Sequence, residues 1–213
     1  MKHSVNPRGL QRLALTVGAA ALLSGALTAC VPLLLGGAVG GGALIATDRR
    51  TSGTQLEDEG IELRALSRLR SALGERSHVN LTSYNRQVLL TGEVASAQDK
   101  QQIEQTVAGV ENVSTIVNEL AIMGNSTLTQ RSSDALVTGR VKATLVDARD
   151  LSANAFKVVT ERGTTYLMGR VTQREADRGT EVARSTPGVQ KVVRMFEIIS
   201  EQELARLLPT AKR

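Results

Sequence analysis

Ring-bearing and sulfur-bearing side chains are scarce in this chain of 213 residues, which has one Cys, two His, two Phe, two Tyr and no Trp. One Cys cannot form an intramolecular disulfide, and one Cys with two His cannot build a Cys/His zinc site. So few aromatic rings leave little on which bases could stack. The composition therefore argues against disulfide scaffolds, structural zinc modules and a nucleic-acid partner.

The first thirty residues have the composition of a secretory signal. Three basic residues and no acidic one come first, and an apolar run from Leu13 to Ala29 follows. The run ends in Leu-Thr-Ala before Cys30, which resembles the lipobox of bacterial lipoproteins. The resemblance implies that residues 1–29 are removed and that Cys30 is acylated on its sulfur and its new amino group. A plain signal peptide with a chance Cys is one alternative, and a transmembrane hairpin is the other.

The residues around and after Cys30 predict a membrane-anchored protein. Two or more acyl chains hold a protein on a bilayer essentially permanently. By resemblance to lipoprotein sorting in two-membrane bacteria, delivery to the outer membrane is expected unless Asp follows the Cys, and here Val31 follows it. Residues 30–56 are predicted to be a flexible, Gly-rich linker, because each Gly costs a helix about 1 kcal/mol relative to Ala.

The rest of the chain contains one pattern twice. Three stretches of the first copy match three of the second: Leu69–Leu73 with Val141–Leu145, Gln87–Val94 with Thr164–Val171, and Gly109–Val113 with Gly188–Val192. Their offsets are 72, 77 and 79 residues. These offsets predict that the second copy carries five additional residues in its first loop and two more near its second helix, since insertions are tolerated between elements.

Each copy has the pattern helix, strand, strand, helix, strand. Apolar residues at helical spacing define the buried stripe of the first helix in each copy: Leu66, Leu69 and Leu73, then Val137, Val141 and Leu145. The pattern predicts an α+β fold of two αββαβ units at residues 57–123 and 131–200. We expect the two units to pack together, because about 65 residues bury only a modest core.

Local signals mark the turns and helix starts of these units. Asn85-Arg86 and Arg162-Gly163 can each supply the positive φ of a tight hairpin turn. Thr172 and Glu175 have the spacing of a capping box at the start of a helix. We interpret residues 201–213 as a tail that begins with a short amphipathic helix.

The repeated strand with a central Gly, followed by a helix and Gly-Val-x-x-Val, resembles the BON domain. Two such units behind a lipobox, with the Ala46–Arg50 and Gly53–Gln55 stretches before them, resemble the dual-BON outer-membrane lipoproteins over residues 24–200. This resemblance implies an αββαβ fold and a lipid-anchored protein on the periplasmic face of the outer membrane. It also implies binding of anionic phospholipid and a role in envelope integrity and cell division.

The two repeats carry opposite net charge. Residues 57–123 have six basic and ten acidic side chains, whereas residues 131–200 have twelve basic and eight acidic ones. Each Lys or Arg near an anionic bilayer contributes about 1 kcal/mol to binding. We therefore expect the second repeat to face the membrane; ion pairing between the two repeats is the competing use of the same charges.

The first helix of the second repeat carries the predicted lipid-binding residues. Leu136 lies off the buried stripe and beside Arg140, with small residues around both. We predict that Leu136 and Arg140 contact lipid, with Arg131, Lys142 and Arg149 flanking them. Two other interpretations remain open: scattered exposed Leu residues are ordinary, and the contact between the repeats could cover Leu136.

No arrangement of residues suggests catalysis. His78, the one His after Cys30, is predicted at a strand edge, and no neighbour in sequence completes a triad with it. The acidic cluster of Glu57, Asp58, Glu59 and Glu62 is interpreted as a solvated helix start, where acids favour the helix dipole. We predict a non-enzymatic protein without cofactor or metal.

Two other functions stay open at this point. The chain could be an adaptor for outer-membrane assembly proteins, or for regulators of peptidoglycan hydrolases and septal peptidoglycan remodelling. It could also be a stress-type periplasmic chaperone.

Overall fold

The computed structural model describes residues 48–73 and 78–207. The predicted signal peptide, Cys30, the linker before residue 48 and the end of the tail lie outside the described residues. Within these ranges the helices are α1 (Ser52–Leu73), α2 (Ala97–Ala108), α3 (Leu128–Asp147), α4 (Gln173–Ser185) and α5 (Glu201–Leu207). The strands are β1 (His78–Tyr84), β2 (Gln87–Val94), β3 (Thr115–Asn118), β4 (Ala121–Ile122), β5 (Lys157–Glu161), β6 (Thr164–Val171) and β7 (Lys191–Ile198).

Each repeat forms its own sheet around a central strand. β1 pairs antiparallel with β2, and both β3 and β4 pair parallel with β2. In the second repeat β5 pairs antiparallel with β6, and β7 pairs parallel with β6 along eight residues. The two predicted αββαβ units are confirmed, with the last strand of the first unit interrupted between β3 and β4.

The hairpin turns have the predicted conformation. φ is +50° at Asn85 and +67° at Arg86, and +53° at Arg162 and +73° at Gly163. Two successive residues with positive φ match the twist of the flanking strands. The capping box of Thr172 and Glu175 at the start of α4 is also present.

The buried stripe of α1 differs from the predicted one. Ile61, Ala65 and Leu69 are buried, and Leu66 is only partly buried at the edge of the core. These three residues correspond to Val137, Val141 and Leu145 at an offset of 76, one helical turn from the predicted alignment. Because the central strands are offset by 77, the expected insertion of five residues in the first loop was wrong, and only one residue is added.

Side chains of the central strands alternate between two cores. On β2, Val88 and Leu90 pack beneath α1 and α2, whereas Leu89 lies on the opposite face. On β6, Leu167 packs in the core of the second repeat, whereas Met168 lies on the opposite face. The outer faces of the two sheets pack on each other through a third buried cluster of Tyr84, Leu89, Tyr166, Met168 and Met195. Both repeats therefore belong to one compact unit, with helices outside and sheets inside.

A carboxylate from the first helix of each repeat binds the turn of the following hairpin. Asp58 accepts hydrogen bonds from the backbone N–H groups of Asn85 and Arg86, both at 2.8 Å. Asp134 accepts the equivalent bonds from Arg162 at 2.8 Å and Gly163 at 2.9 Å. Asp58 is buried, so its assignment to a solvated acidic cluster was wrong. The distant turn supplies the donors that permit its burial.

Candidate lipid-contact site and the junction of the repeats

Helix α3 displays four of the five residues predicted to contact lipid, and Arg149 lies two positions beyond its end at Asp147. Its start is fixed by a capping box of Thr127 and Gln130, which the sequence analysis did not identify. Twenty residues span about 30 Å. Its inner face buries Asp134, Val137, Val141 and Leu145 against the second sheet. This packing fixes which residues the helix presents to solvent.

The outward side of α3 is apolar and has small residues along its centre. Leu128, Leu136 and Val146 are 79%, 63% and 68% exposed. At 100° per residue they fall within one 100° sector, together with Ala135, Gly139 and Ala143. We call this sector the exposed α3 face. Neither repeat covers Leu136, so the interpretation in which the contact between the repeats buries it does not hold.

Cations lie along both sides of the exposed α3 face. Arg140, Lys142 and Arg149 are exposed, and Arg131 is partly buried. Arg131 donates to the Ser126 hydroxyl at 3.1 Å, and Arg140 donates to the Pro187 carbonyl at 3.5 Å. Among residues 48–73 and 78–207, no carboxylate forms an ion pair with any of these four cations. Their charge therefore remains available to an external anion.

Other cations of the second repeat are used for contact with the first. Lys157 donates to Glu62 at 3.1 Å and to the Ser83 carbonyl at 3.0 Å. Arg162 lies 3.7 Å from Glu93. Ion pairing between the two repeats, the alternative raised from the sequence, thus occurs where the repeats meet. The four cations beside the exposed α3 face take no part in it.

The segment before α1 is packed against both repeats. Arg49 is buried and donates twice to Glu175, with both distances 2.7 Å. Arg50 lies over the Tyr84 ring at 4.2 Å and donates to Asp58 at 2.8 Å. The predicted boundary of the linker at residue 56 therefore falls inside the structured part, since α1 itself begins at Ser52.

His78 has partners that the sequence did not indicate. Its Nδ1 lies 3.0 Å from Glu93 Oε2 and 3.5 Å from the Ser126 hydroxyl. A catalytic triad needs the carboxylate and the nucleophile on opposite ring nitrogens, whereas here both approach the same one. This geometry does not support nucleophilic catalysis by Ser126.

The two carboxylates near His78 titrate differently. Burial tends to raise the pKa of Glu93, but hydrogen bonds from Ser126 and His78 outweigh it and leave that pKa below its ordinary value. Burial raises the pKa of Glu161 despite a hydrogen bond from Asn80. The junction therefore combines one carboxylate whose ionised form is favoured with one whose ionised form is disfavoured.

In the part of the chain that the structure describes, no helix combines the length and apolar character needed to cross a bilayer.

Two αββαβ units joined through their sheets define a tandem class of small α+β proteins. The BON domain family model matches residues 58–124 and 133–200. The chain is 35% identical to "Outer membrane lipoprotein DolP" of Haemophilus influenzae over 193 residues, covering 89% of this chain and 97% of that protein. It is 32% identical to a "21 kDa hemolysin" of Actinobacillus pleuropneumoniae over 154 residues, covering 71% and 79%.

The chain belongs to the BON domain family and, within it, to the dual-BON outer-membrane lipoproteins of the DolP group. This relationship gives it a lipid-anchored location at the outer membrane, as the sequence predicted. Among solved structures, Chlamydia trachomatis CdsD, a structural protein of the type III secretion system, matches at 15% identity and a TM-score of 0.29. The match covers 67% of this chain and 96% of that one.

Proposed function

We propose that the protein is a non-enzymatic envelope lipoprotein whose second repeat binds anionic phospholipid through the exposed α3 face. Leu136 carries this proposal, because a 63% exposed Leu, flanked by cations that form no ion pair with any carboxylate of the described residues, suits the boundary between headgroups and acyl chains. Arg140 and Lys142 lie on opposite sides of the apolar sector, where they can reach phosphates on either side. Arg131 extends the basic character along the helix, and Arg149 adds a cation two positions beyond its end.

The lipid anchor and the helix would act together. Acyl chains on Cys30 would hold the protein at a bilayer without regard to headgroup, whereas the exposed α3 face would favour anionic lipid. Tethering raises the effective concentration of the second contact, so a weak helix–lipid affinity is enough. By resemblance to dual-BON lipoproteins, we further propose that this contact supports envelope integrity and cell division from the periplasmic face.

Vesicle binding by residues 43–213 tests the proposal without the acylated Cys. This fragment keeps Arg49 and all of α1. We expect binding to phosphatidylglycerol vesicles that weakens with salt, and little binding to phosphatidylcholine. Arg140→Glu changes the charge by two units, worth about 2 kcal/mol or roughly thirtyfold in affinity. Leu136→Asp removes the apolar contact and should weaken binding at least about tenfold.

Two matched variants separate a local site from net charge. Arg184→Glu makes the same charge change on an exposed residue of α4, and Leu63→Asp changes an equally exposed Leu of α1. Both should retain most of the affinity. If they weaken binding as much as the α3 variants, the exposed α3 face is not the site. Binding that needs a particular protein and ignores lipid would instead support an adaptor for outer-membrane assembly or peptidoglycan-remodelling proteins.

A further inference from the structure

Three side chains that can ligate a metal converge at the junction of the repeats. His78 and Glu93 are directly paired across β1 and β2, and Glu161 comes from the end of β5 in the second repeat. One imidazole nitrogen and two carboxylate oxygens lie within 4.8 Å of one another. The cluster exists only because the two sheets pack together, so it joins both repeats.

One oxygen of this cluster has no hydrogen-bond partner. Glu93 is fully buried, and its Oε1 accepts no hydrogen bond, whereas its Oε2 is bound by His78 and the Ser126 N–H group. Among the described residues, Arg162 forms the ion pair with Oε1, at 3.7 Å. A buried carboxylate oxygen without a donor is costly. Its presence beside an imidazole and a second buried carboxylate indicates a place for a cation.

We propose that His78, Glu93 and Glu161 bind a divalent transition-metal ion of the Zn²⁺ type that links the two repeats. An imidazole nitrogen favours Zn²⁺ over Mg²⁺ and Ca²⁺, which prefer oxygen ligands alone. Tetrahedral Zn²⁺ with bonds of about 2.0–2.2 Å needs ligand atoms roughly 3.4 Å apart. The three ligand atoms lie within 4.8 Å of one another, so binding requires each pair to approach by at most about 1.4 Å, and water would fill the fourth position.

Two carboxylates with one cation beside them give the cluster a net negative charge, which suits an incoming dication. Arg162 contributes one positive charge, while Asp134 is already bound to the backbone of the same turn. Asn80 donates to Glu161 at 2.9 Å and orients its carboxylate. Arg162 is 37% exposed along its side chain, so it can turn toward solvent when a metal arrives. Arg162 therefore acts as a competing counter-ion in the metal-free protein.

The mature acylated protein in detergent is the preparation for the test. Its predicted processing removes His3 and masks the sulfur of Cys30, which leaves His78 as the remaining strong nitrogen or sulfur ligand. Titration calorimetry with ZnCl₂ should give saturable binding of one ion per chain. Co²⁺ should produce a visible absorption band, and MgCl₂ should not compete.

Four variants decide between a built site and surface binding. His78→Ala and Glu161→Gln should each weaken Zn²⁺ binding at least tenfold, whereas Glu181→Gln, an exposed carboxylate on α4, should leave it unchanged. Arg162→Asn tolerates the positive φ of the turn and should tighten binding, because the competing cation is gone. The tighter binding expected for Arg162→Asn tests the site without removing any of its ligands. Circular dichroism checks that each variant is folded.

The proposal is overturned if the wild-type protein shows no saturable Zn²⁺ binding. It is equally overturned if folded His78→Ala and Glu161→Gln bind as tightly as the wild type, since the ions would then occupy other surface groups. An affinity that Arg162→Asn leaves unchanged would remove Arg162 from the site.

Discussion

Arg49 and Glu175 form a two-pronged buried ion pair between residues 126 positions apart in the chain. Arg49 also donates to the Arg170 carbonyl at 2.9 Å. Burial tends to raise the pKa of Glu175, but the bonds from Arg49 and Thr172 leave it below its ordinary value. Asp48 follows Cys30 by eighteen positions, so the acylated Cys can lie at most about 65 Å from Asp48.

Removing one partner of this pair should destabilise the protein strongly. Arg49→Ala leaves the Glu175 carboxylate buried without its counter-charge, and we expect a loss of about 3–5 kcal/mol in the free energy of unfolding. Urea denaturation measures the change. Arg194→Ala breaks an exposed ion pair with Asp177 and should cost less than about 1 kcal/mol. Similar losses for the two variants would show that the buried pair is not special.

Asp58 should make the free energy of unfolding depend on pH in the acid range. Burial tends to raise its pKa, but hydrogen bonds from Arg86, Ser83, Arg50 and Asn85 together lower it below its ordinary value. A carboxylate with a lowered folded-state pKa contributes stability that is fully present above the unfolded pKa of about 3.9. That stability is lost as the pH falls through the folded-state pKa.

Asp58→Asn isolates this contribution. At pH 7 the variant should lose about 1.5–3 kcal/mol, because hydrogen bonds to a charged acceptor are replaced by weaker ones. The difference in the free energy of unfolding between wild type and variant should shrink as the pH is lowered from 5 to 2. Urea denaturation at each pH measures this difference. Asp177→Asn, at an exposed pair, should show a small difference throughout. A difference for Asp58→Asn that is constant with pH would contradict the assignment.

Two Gly→Ala substitutions should have opposite effects on stability. At Gly169 a Cβ atom would collide with the Ala155 carbonyl oxygen, so Gly169→Ala should cost about 1–3 kcal/mol. At Gly139, within α3, a Cβ would meet no atom within 4 Å, so Gly139→Ala should stabilise by about 0.5–1 kcal/mol. Thermal unfolding of both variants checks the signs. Two changes of the same sign would refute this account.

The Gly residues of the two central strands show what the sequence could predict and what it could not. Gly92 and Gly169 were correctly aligned as equivalent, but the reason for Gly appears only in the structure. At both positions a backbone carbonyl, from His78 or from Ala155, approaches too closely for a Cβ. The alignment of the first helices failed because α1 has apolar residues on more than one side, including exposed Leu56 and Leu63. Periodicity alone could not show which of them face the sheet.

The sequence by itself determined the local structure: two αββαβ units, their hairpin turns, the capping box of α4 and the buried stripe of α3. The signals for each helix, strand and turn come from residues within a few positions of one another, and the repetition of these signals marks the two units. Only the tertiary structure decided which charges are buried or paired, as for Arg49, Asp58 and Lys157, and which have no carboxylate partner among the described residues, as for Arg140. The physical reason is that these pairings join residues far apart in sequence, and they exist only after the two sheets pack together and exclude water between them.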